Sequence, residues 1–247
     1  MPATGEVRRW HAGDAADAAP PGRIAQFMEQ RDGSLWLASH QSIQVRDASG
    51  RVLDTVHRGD GRGLEASAMV EQLARAPDGG VWAATSQGLL SWNDGARGFE
   101  PVPGAPAAAT YGVAFGPGGE AWLAGYGELA AYAWDGAALA PLRSVGAGHG
   151  LPKVAPGGVV VDDAGVVWLT TVRGLVRFDP EDGRLRVYGV HDGLPSHEFS
   201  EFPVAVSAQG YIAAGTADGL LLFHPRLVRW SHGTPTLAIE SVDLRRG

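Results

Sequence analysis

Short runs of alternating apolar and polar residues follow one another along nearly the whole chain, separated by turns rich in glycine and proline. In DGSLWLAS, residues 32–39, a glycine-containing turn precedes a strand-like segment that carries one tryptophan. Alternation with a period of two is typical of β-strands that have one face on a core, and glycine permits the positive φ that tight hairpins need. Only residues 69–76, MVEQLARA, show a helix-like pattern. The pattern therefore predicts an all-β fold.

The tryptophan motif is repeated along the chain. It returns as DGGVWAAT at 78–85, GGEAWLAG at 118–125, AGVVWLTT at 164–171 and, without the tryptophan, QGYIAAGT at 209–216. The spacings between the anchor residues are 46, 40, 46 and 45 residues, and the anchors are Trp36, Trp82, Trp122, Trp168 and Ala213. Four short strands every ~40 to 45 residues are typical of β-propeller blades. We predict a β-propeller of about five four-stranded blades over residues 1–230, with the four tryptophans packed between blades.

Both ends of the chain carry additional strand-like segments. GEVRRW at 5–10 has the pattern of an outer strand without a blade in front of it, and the fifth repeat has only LVRW as a candidate outer strand. An N-terminal strand that completes the last blade would remove an open sheet edge. The alternative is that the chain forms one arc of a larger ring. Residues 231–247 alternate again, and we expect them to begin a truncated β domain.

Composition narrows the classes of partner. The chain has 247 residues, 45% of them apolar and 19% charged, which indicates a globular protein. A net charge of −7 and the absence of a basic run disfavour nucleic acid and direct contact with a membrane surface. Without cysteine there is no disulfide framework and no thiolate zinc site. No apolar run of ~18 residues is present, and the N-terminus lacks the apolar segment of an export signal.

The stretch VVWLTTVRGLVRFDPEDGRLRVYGVHDGLPSHEF, residues 166–199, resembles the two-component regulator propeller repeat. FHPRLVRW followed by TPTLAIESVDLRRG is similar to the junction of that family with an Ig-like domain, which the resemblance places at 231–247. Three departures stand out: His197 and Ser200 occupy positions where the family usually has Asn, Glu128 replaces a hairpin glycine, and the family's rings are typically larger than five blades.

The resemblance implies a non-enzymatic, periplasmic sensor of a hybrid histidine kinase or diguanylate cyclase. Its partners would be a small-molecule ligand, by family analogy a glycan, and the downstream Ig-like and signalling output domains, with a homodimer in the full-length protein. The resemblance implies no cofactor. No GxSxG, P-loop or HExxH motif is present, and Asn93 is the only asparagine. We therefore predict no catalytic residues and no metal site.

Candidate ligand contacts follow from propeller geometry. The linkers between blades and the turns between second and third strands share one face around the mouth of the central channel, where a concave site can form. This reasoning selects the six side chains His40, Tyr126, His149, Arg173, His197 and Glu198. Two alternatives stay open, namely a propeller enzyme of lyase or metal-dependent lactonase type and a protein-interaction scaffold with a large exposed apolar patch.

Overall fold

The computed structural model describes residue 11 and residues 18–228, and it is all-β in these residues. Five antiparallel sheets follow one another along the chain, each a meander of consecutive strands. The strands are, in order, β1 Ile24–Glu29, β2 Leu35–Ser39, β3 Ser42–Arg46, β4 Val52–His57, β5 Val70–Arg75, β6 Val81–Thr85, β7 Gly88–Asn93, β8 Gly98–Pro101, β9 Gly112–Phe115, β10 Ala121–Gly125, β11 Glu128–Trp134, β12 Leu139–Val145, β13 Pro156–Val161, β14 Val167–Thr171, β15 Gly174–Asp179, β16 Arg184–Tyr188, β17 Ala205–Val206, β18 Ile212–Thr216 and β19 Gly219–Phe223. Short 3-10 helices lie at Ala147–His149, Val190–Asp192 and Pro225–Leu227.

These sheets are the five predicted blades of a β-propeller. Blades 1 to 4 have four strands each, and blade 5 has three within the described residues. The predicted N-terminal closing strand, residues 5–10, and the predicted domain start, residues 231–247, lie outside the described residues. The helix-like interval at 69–76 is β5, the innermost strand of blade 2. Burial of Val70, Gln72 and Leu73 between neighbouring inner strands decides in favour of the strand.

The repeated turn has the predicted chemistry. The glycine three residues before each anchor adopts a positive φ of 80 to 92°, at positions 33, 79, 119, 165 and 210. The aspartates of the motif accept backbone N–H groups two residues on, as Asp32 does from Ser34 at 2.9 Å and Asp78 from Gly80 at 2.9 Å. Glycine thus supplies the left-handed backbone, and the carboxylate satisfies the turn.

Aromatic pairs join consecutive blades at four junctions. Each anchor tryptophan meets the edge of an aromatic ring on the third strand of the next blade, with ring centroids 4.9 to 5.7 Å apart and interplanar angles of 62 to 89°. The pairs are Trp36–Trp92, Trp82–Trp134, Trp122–Phe178 and Trp168–Phe223. All four anchors are buried, the most exposed being Trp36 at 6%. The prediction that they pack between blades is confirmed, since edge-to-face rings in a dry core add to the hydrophobic contribution.

One buried amide side chain joins three of the innermost strands. Gln72 of β5 is 4% exposed and crosses to two other blades. Its Nε2 donates to the carbonyls of Val113 at 3.2 Å and Val159 at 2.8 Å, and its Oε1 accepts from Val159 N at 3.1 Å. The neighbouring Gly112 has no Cβ, and one built there would lie 2.7 Å from Gln72 Oε1. Gln72 thus bridges the innermost strands of blades 2, 3 and 4.

Candidate functional site

The linkers and the second hairpin turn of each blade share one face, which we call the linker face. Backbone hydrogen bonds tie them together: Arg58 N donates to Gln41 O at 3.0 Å, and Gly127 N donates to Val154 O at 3.0 Å. In the last linker, Phe199 N donates to Thr171 O at 3.2 Å and Ala217 N to Glu198 O at 3.0 Å. The predicted shared face of linkers and hairpin turns is confirmed.

Three side chains meet on this face where blade 5 approaches blades 1 and 2, and two glutamates lie within electrostatic range; we call these five the mouth cluster. The ring of Phe202, in the linker to blade 5, lies 6.1 Å from the imidazole of His40. The guanidinium of Arg23, just before β1, lies 3.9 Å from the centroid of the same ring. Glu71 and Glu201 are close enough to act on each other electrostatically, and His40 acts on Glu71. The cluster thus combines an aromatic face with charges of both signs.

A β-bulge turns Glu71 into the cluster. In blade 2, Val70 pairs with Thr85 and Gln72 with Ala84, so Glu71 is the extra residue of its strand. The same irregularity occurs in blades 1 and 4, where the extra residues are Ala25 and Gly157. A bulge changes the direction of a side chain at the end of a strand. Of these three bulges, only the one in blade 2 has a carboxylate as its extra residue, so only there does the bulge direct a charged group.

Two side chains of the cluster, Glu71 and His40, have polar atoms in unfavourable surroundings. Burial raises the pKa of Glu71, His40 opposes that rise and Glu201 adds to it. His40 Nδ1 is buried without a hydrogen-bond partner among the described residues. A buried polar atom without a partner carries a desolvation cost that a ligand atom can relieve. These two groups are therefore the strongest candidates for ligand contact on this face.

The structure places the six predicted contacts differently. His40 lies in the mouth cluster. Tyr126 stands at the hairpin turn of blade 3 and is 59% exposed. Arg173 is exposed at the hairpin turn of blade 4, and its side chain makes no hydrogen bond or ion pair within the described part of the chain. Glu198 lies exposed between the turns of blades 4 and 5.

The two remaining histidines are occupied locally. His197 is exposed, with its imidazole packed against Gly189, where a Cβ would not fit. His149 Nδ1 accepts the N–H of Gly146 at 3.2 Å within its own 3-10 turn. His149 also lines a cleft of about 380 Å³ on the outer side of blades 3 and 4, with Phe178 and Glu181. It therefore lies apart from the mouth cluster.

Sequence reasoning missed four members of the mouth cluster, namely Arg23, Glu71, Glu201 and Phe202. Two of them, Glu201 and Phe202, end the polar linker that starts at His191. The charged and aromatic composition of that linker could have identified these two residues. Glu71 carried no signal, because a strict alternation of strand residues does not reveal a bulge. Across residues 11 and 18–228, no group of three or more His, Cys, Asp or Glu side chains could hold a metal ion.

Comparison with known proteins gives the fold of the chain a context. No family model and no curated protein matches the sequence. Among solved structures, the extracellular domain of the hybrid two-component system BT3049 from B. thetaiotaomicron is similar with a TM-score of 0.65 and 19% identity, covering 82% of this chain and 28% of that one. The extracellular domain of the one-component system BT4673 from the same organism has a TM-score of 0.67 and 13% identity, covering 85% and 31%.

A propeller enzyme is also similar, at a lower score. The gluconolactonase XC5397 from Xanthomonas campestris has a TM-score of 0.55 and 19% identity, covering 79% of this chain and 70% of that one. The chain spans about three tenths of the length of the two sensor domains. These likenesses show the propeller fold. No helix among the described residues is long and apolar enough to cross a membrane.

Proposed function

We propose that this chain is the non-enzymatic sensor propeller of a bacterial signalling protein and that it binds a small molecule over the mouth cluster. The observation that carries the proposal is the buried, unpartnered Nδ1 of His40 beside Phe202 and the half-buried Glu71. Glu71 lies on a strand, His40 in the β2–β3 turn and Phe202 in the linker to blade 5, and backbone hydrogen bonds such as Val70 N to His40 O at 3.4 Å tie the turn of His40 to blade 2. Arg173, Glu198 and Tyr126 stand exposed around the same face and would contact the outer parts of the ligand.

The chemistry of the cluster favours a polar, hydroxylated ligand such as a short glycan. Imidazole and carboxylate groups can exchange hydrogen bonds with hydroxyls, and the face of Phe202 that Arg23 does not cover offers an apolar surface for a sugar ring. Gln72 bridges the innermost strands of blades 2 and 4 below the cluster, so we propose that the ligand lies across the mouth.

The wider biological context is part of the proposal. The similar structures BT3049 and BT4673 are described as extracellular domains of two-component and one-component systems. That likeness and the repeat motif support the proposal that this chain works in the periplasm, ahead of an Ig-like domain and a kinase or cyclase output. Dimerisation of the full-length protein would couple ligand binding to that output.

One specific observation supports an enzyme as the second candidate. His40, Glu71 and Glu201 form a titratable cluster, and a gluconolactonase shares the fold. Lactone hydrolysis needs a base or a metal-bound water at the reacting carbon. The test is hydrolysis of gluconolactone above the spontaneous rate, with and without Zn²⁺ or Ca²⁺. Activity that depends on Glu71 would replace the sensor proposal.

A thermal-shift screen against glycans and metabolites tests the sensor proposal. Ligand at about 100 times its dissociation constant should stabilise the chain by about 2.7 kcal/mol, which raises Tm by about 5 to 10 °C. The shift should disappear in His40→Ala and shrink in Glu71→Gln, while the exposed outer residue Glu181 serves as the matched control in Glu181→Gln. Absence of a shift across the panel, or hits that keep their shift in His40→Ala, would reject the proposal.

A further inference from the structure

A second cleft lies on the opposite side of the ring from the mouth cluster. The turn between β1 and β2, the turn between β5 and β6 and the turn between β7 and β8 enclose it at the junction of blades 1 and 2. Its volume is about 450 Å³, within the range of small-molecule sites. We call it the turn-face cleft. None of the groups proposed to bind ligand at the mouth lines it.

The floor of the turn-face cleft is apolar. It is built from Trp36, Val45 and Val81, which belong to the core between the two blades, and from Trp92 and Leu53. Leu53 is 45% exposed and Trp92 is half-buried, so part of this surface faces solvent. An apolar group placed on Leu53 and Trp92 would remove that surface from water.

The rim of the cleft carries charged side chains of both signs that are not fully paired within the described residues. Arg31 is exposed and makes no hydrogen bond or ion pair within the described residues. Asp32 Oδ1 accepts the N–H of Ser34 at 2.9 Å. Hydrogen bonds from the hydroxyl and then from the N–H of Ser34 lower the pKa of Asp32. Asp94 Oδ1 accepts from Trp92 Nε1 at 2.7 Å, and its second oxygen has no hydrogen-bond partner among the described residues.

The third carboxylate of the cleft has a structural role. Asp54 accepts two hydrogen bonds from Arg62, at 2.9 and 2.7 Å, and one from Arg97 at 2.7 Å. The hydrogen bond from Arg62 is the main cause that lowers the pKa of Asp54. This network fixes the wall formed by β4 and the β7–β8 turn, so that the cleft is shaped before a ligand arrives.

The equivalent cleft between blades 4 and 5 lacks these unengaged charges. It is smaller, about 250 Å³. There Asp162 uses both carboxylate oxygens, since Oδ1 accepts from Ala164 N and Val166 N and Oδ2 accepts from Trp168 Nε1 at 2.9 Å. Arg226, the guanidinium of this cleft's rim, is paired with Asp163 at 3.7 Å. The charged groups at this position are thus bonded within the protein between blades 4 and 5, whereas between blades 1 and 2 some of them keep free bonding positions.

We propose that the turn-face cleft binds a small zwitterion with an apolar side chain, of amino-acid or dipeptide size. Arg31 receives the carboxylate, Asp32 and Asp94 receive the ammonium group, and the side chain lies on Leu53 and Trp92. Charges of opposite sign on one rim exclude a purely anionic or cationic ligand as the best match, and the apolar floor favours a hydrocarbon side chain over a fully hydroxylated body.

The test follows the indole N–H signal of Trp92 in ¹⁵N-labelled protein, assigned with Trp92→Phe, during titration with four matched probes. These probes are L-leucine, N-acetyl-L-leucine, L-leucinamide and N-acetyl-L-leucinamide. We expect saturable shifts with leucine and at least tenfold weaker binding when both of its charges are capped, because hydrogen bonds to charged groups contribute about 1.5 kcal/mol or more.

Variants separate the two charge contacts. Arg31→Ala should weaken leucine and N-acetyl-leucine about tenfold and leave leucinamide unchanged, whereas Asp94→Asn should weaken leucine and leucinamide. Arg226→Ala in the equivalent cleft is the control and should leave leucine binding intact. The proposal is overturned if leucine gives no saturable shift up to about 10 mM. It is equally overturned if N-acetyl-leucinamide or maltose binds as well as leucine, or if Arg31→Ala has no effect. The readout lies on the face opposite the mouth, so its result is independent of the sensor proposal.

Discussion

Two kinds of junction hold this ring together, and they differ in chemistry. Between blades 2 and 3, Trp82 is 2% exposed and meets Trp134 and Phe115 edge-on at 4.9 and 5.0 Å. Between blades 5 and 1 the anchor is Ala213. The third strand of blade 1 carries Arg46 in the place of the aromatic residue, because Leu35 pairs with Arg46 just as Val167 pairs with Phe178. The strand pattern of the repeat thus continues at this junction, but the edge-to-face aromatic pair of the other four, which we call the aromatic wedge, is absent among the described residues.

At this fifth junction, blade 1 carries a guanidinium that is bonded within residues 18–50, and blade 5 leaves leucines exposed. Arg46 is fully buried and donates from its guanidinium to Gln44 Oε1, Gly50 O and Ala18 O, each at 2.8 Å. On blade 5, Leu221 packs against blade 4, so its neighbours Leu220 and Leu222 point to the other side, where they are 68% and 60% exposed.

The mouth cluster lies at the same junction. Arg23 and Phe202 bring the linker of blade 5 against the start of blade 1, and His40 belongs to blade 1. The mouth cluster thus lies at the junction that lacks an aromatic pair, whereas the turn-face cleft shares its junction with the pair Trp36–Trp92.

The largest expected effect comes from removing a wedge. Trp82→Ala should destabilise the chain by about 3 to 5 kcal/mol, since it leaves a large cavity among rings that cannot collapse fully. Leu222→Ala is the matched change at the fifth junction, and it should stay within about 0.5 kcal/mol because that side chain is exposed. Equilibrium denaturation with urea measures both, and similar losses in the two variants would refute the distinction between the junctions.

A smaller loss is expected from the buried guanidinium of blade 1. Arg46→Ala should cost about 2 to 4 kcal/mol, because one buried and two partly buried oxygens lose their donor. Arg46→Met keeps most of the volume and separates packing from hydrogen bonding. We expect Arg46→Met to remain at least about 1 kcal/mol less stable than the wild type by the same urea measurement. A Met variant as stable as the wild type would mean that the polar contacts contribute nothing net.

The smallest effect concerns Glu71 and depends on pH. Burial raises its pKa, so the folded chain favours the protonated form, and the resulting stability is present below its ordinary value and lost as pH rises through the raised pKa. Glutamine does not ionise, so Glu71→Gln does not lose this stability as pH rises. The variant should be more stable than the wild type at pH 7, by no more than about 1 kcal/mol, and equal to it near pH ~4.

Thermal melts at both pH values test this, with Glu181→Gln as the exposed control that should change neither. A variant less stable than the wild type at pH 7 would show that the Glu71 carboxylate is favoured in its ionised form.

Much of this architecture could be predicted from the sequence. The glycine positions, the turn aspartates and the anchor spacing fixed five blades, because local turn chemistry and a period of two act over a few residues. The partner of each anchor was less visible: in blade 3 it is Trp134, two residues beyond the position that Phe178 occupies in blade 4. Partners across a junction depend on packing between blades, which no single repeat encodes.

The site was harder to predict than the fold. The prediction that ligands bind on the linker face selected His40. It also selected His149, whose imidazole accepts a hydrogen bond within its own turn. Glu71 escaped because a bulge changes the direction of one side chain without changing the pattern around it. Gln72 likewise joins three innermost strands through contacts with residues 41 and 87 positions away. Long-range hydrogen bonds of this kind have no local signature.

Amide hydrogen exchange tests most directly whether the aromatic wedges set the stability of the blades. β6, β10, β14 and β18 are the second strands of their blades. The inner neighbour of β18 has only two residues, so the comparison uses the amides that donate to the third strand of each blade, with which β18 pairs along its whole length. We expect amides of β18, in the blade that faces the junction without a wedge, to exchange at least about tenfold faster than those of β6 and β10. Equal protection of β18 and β10 would contradict the account.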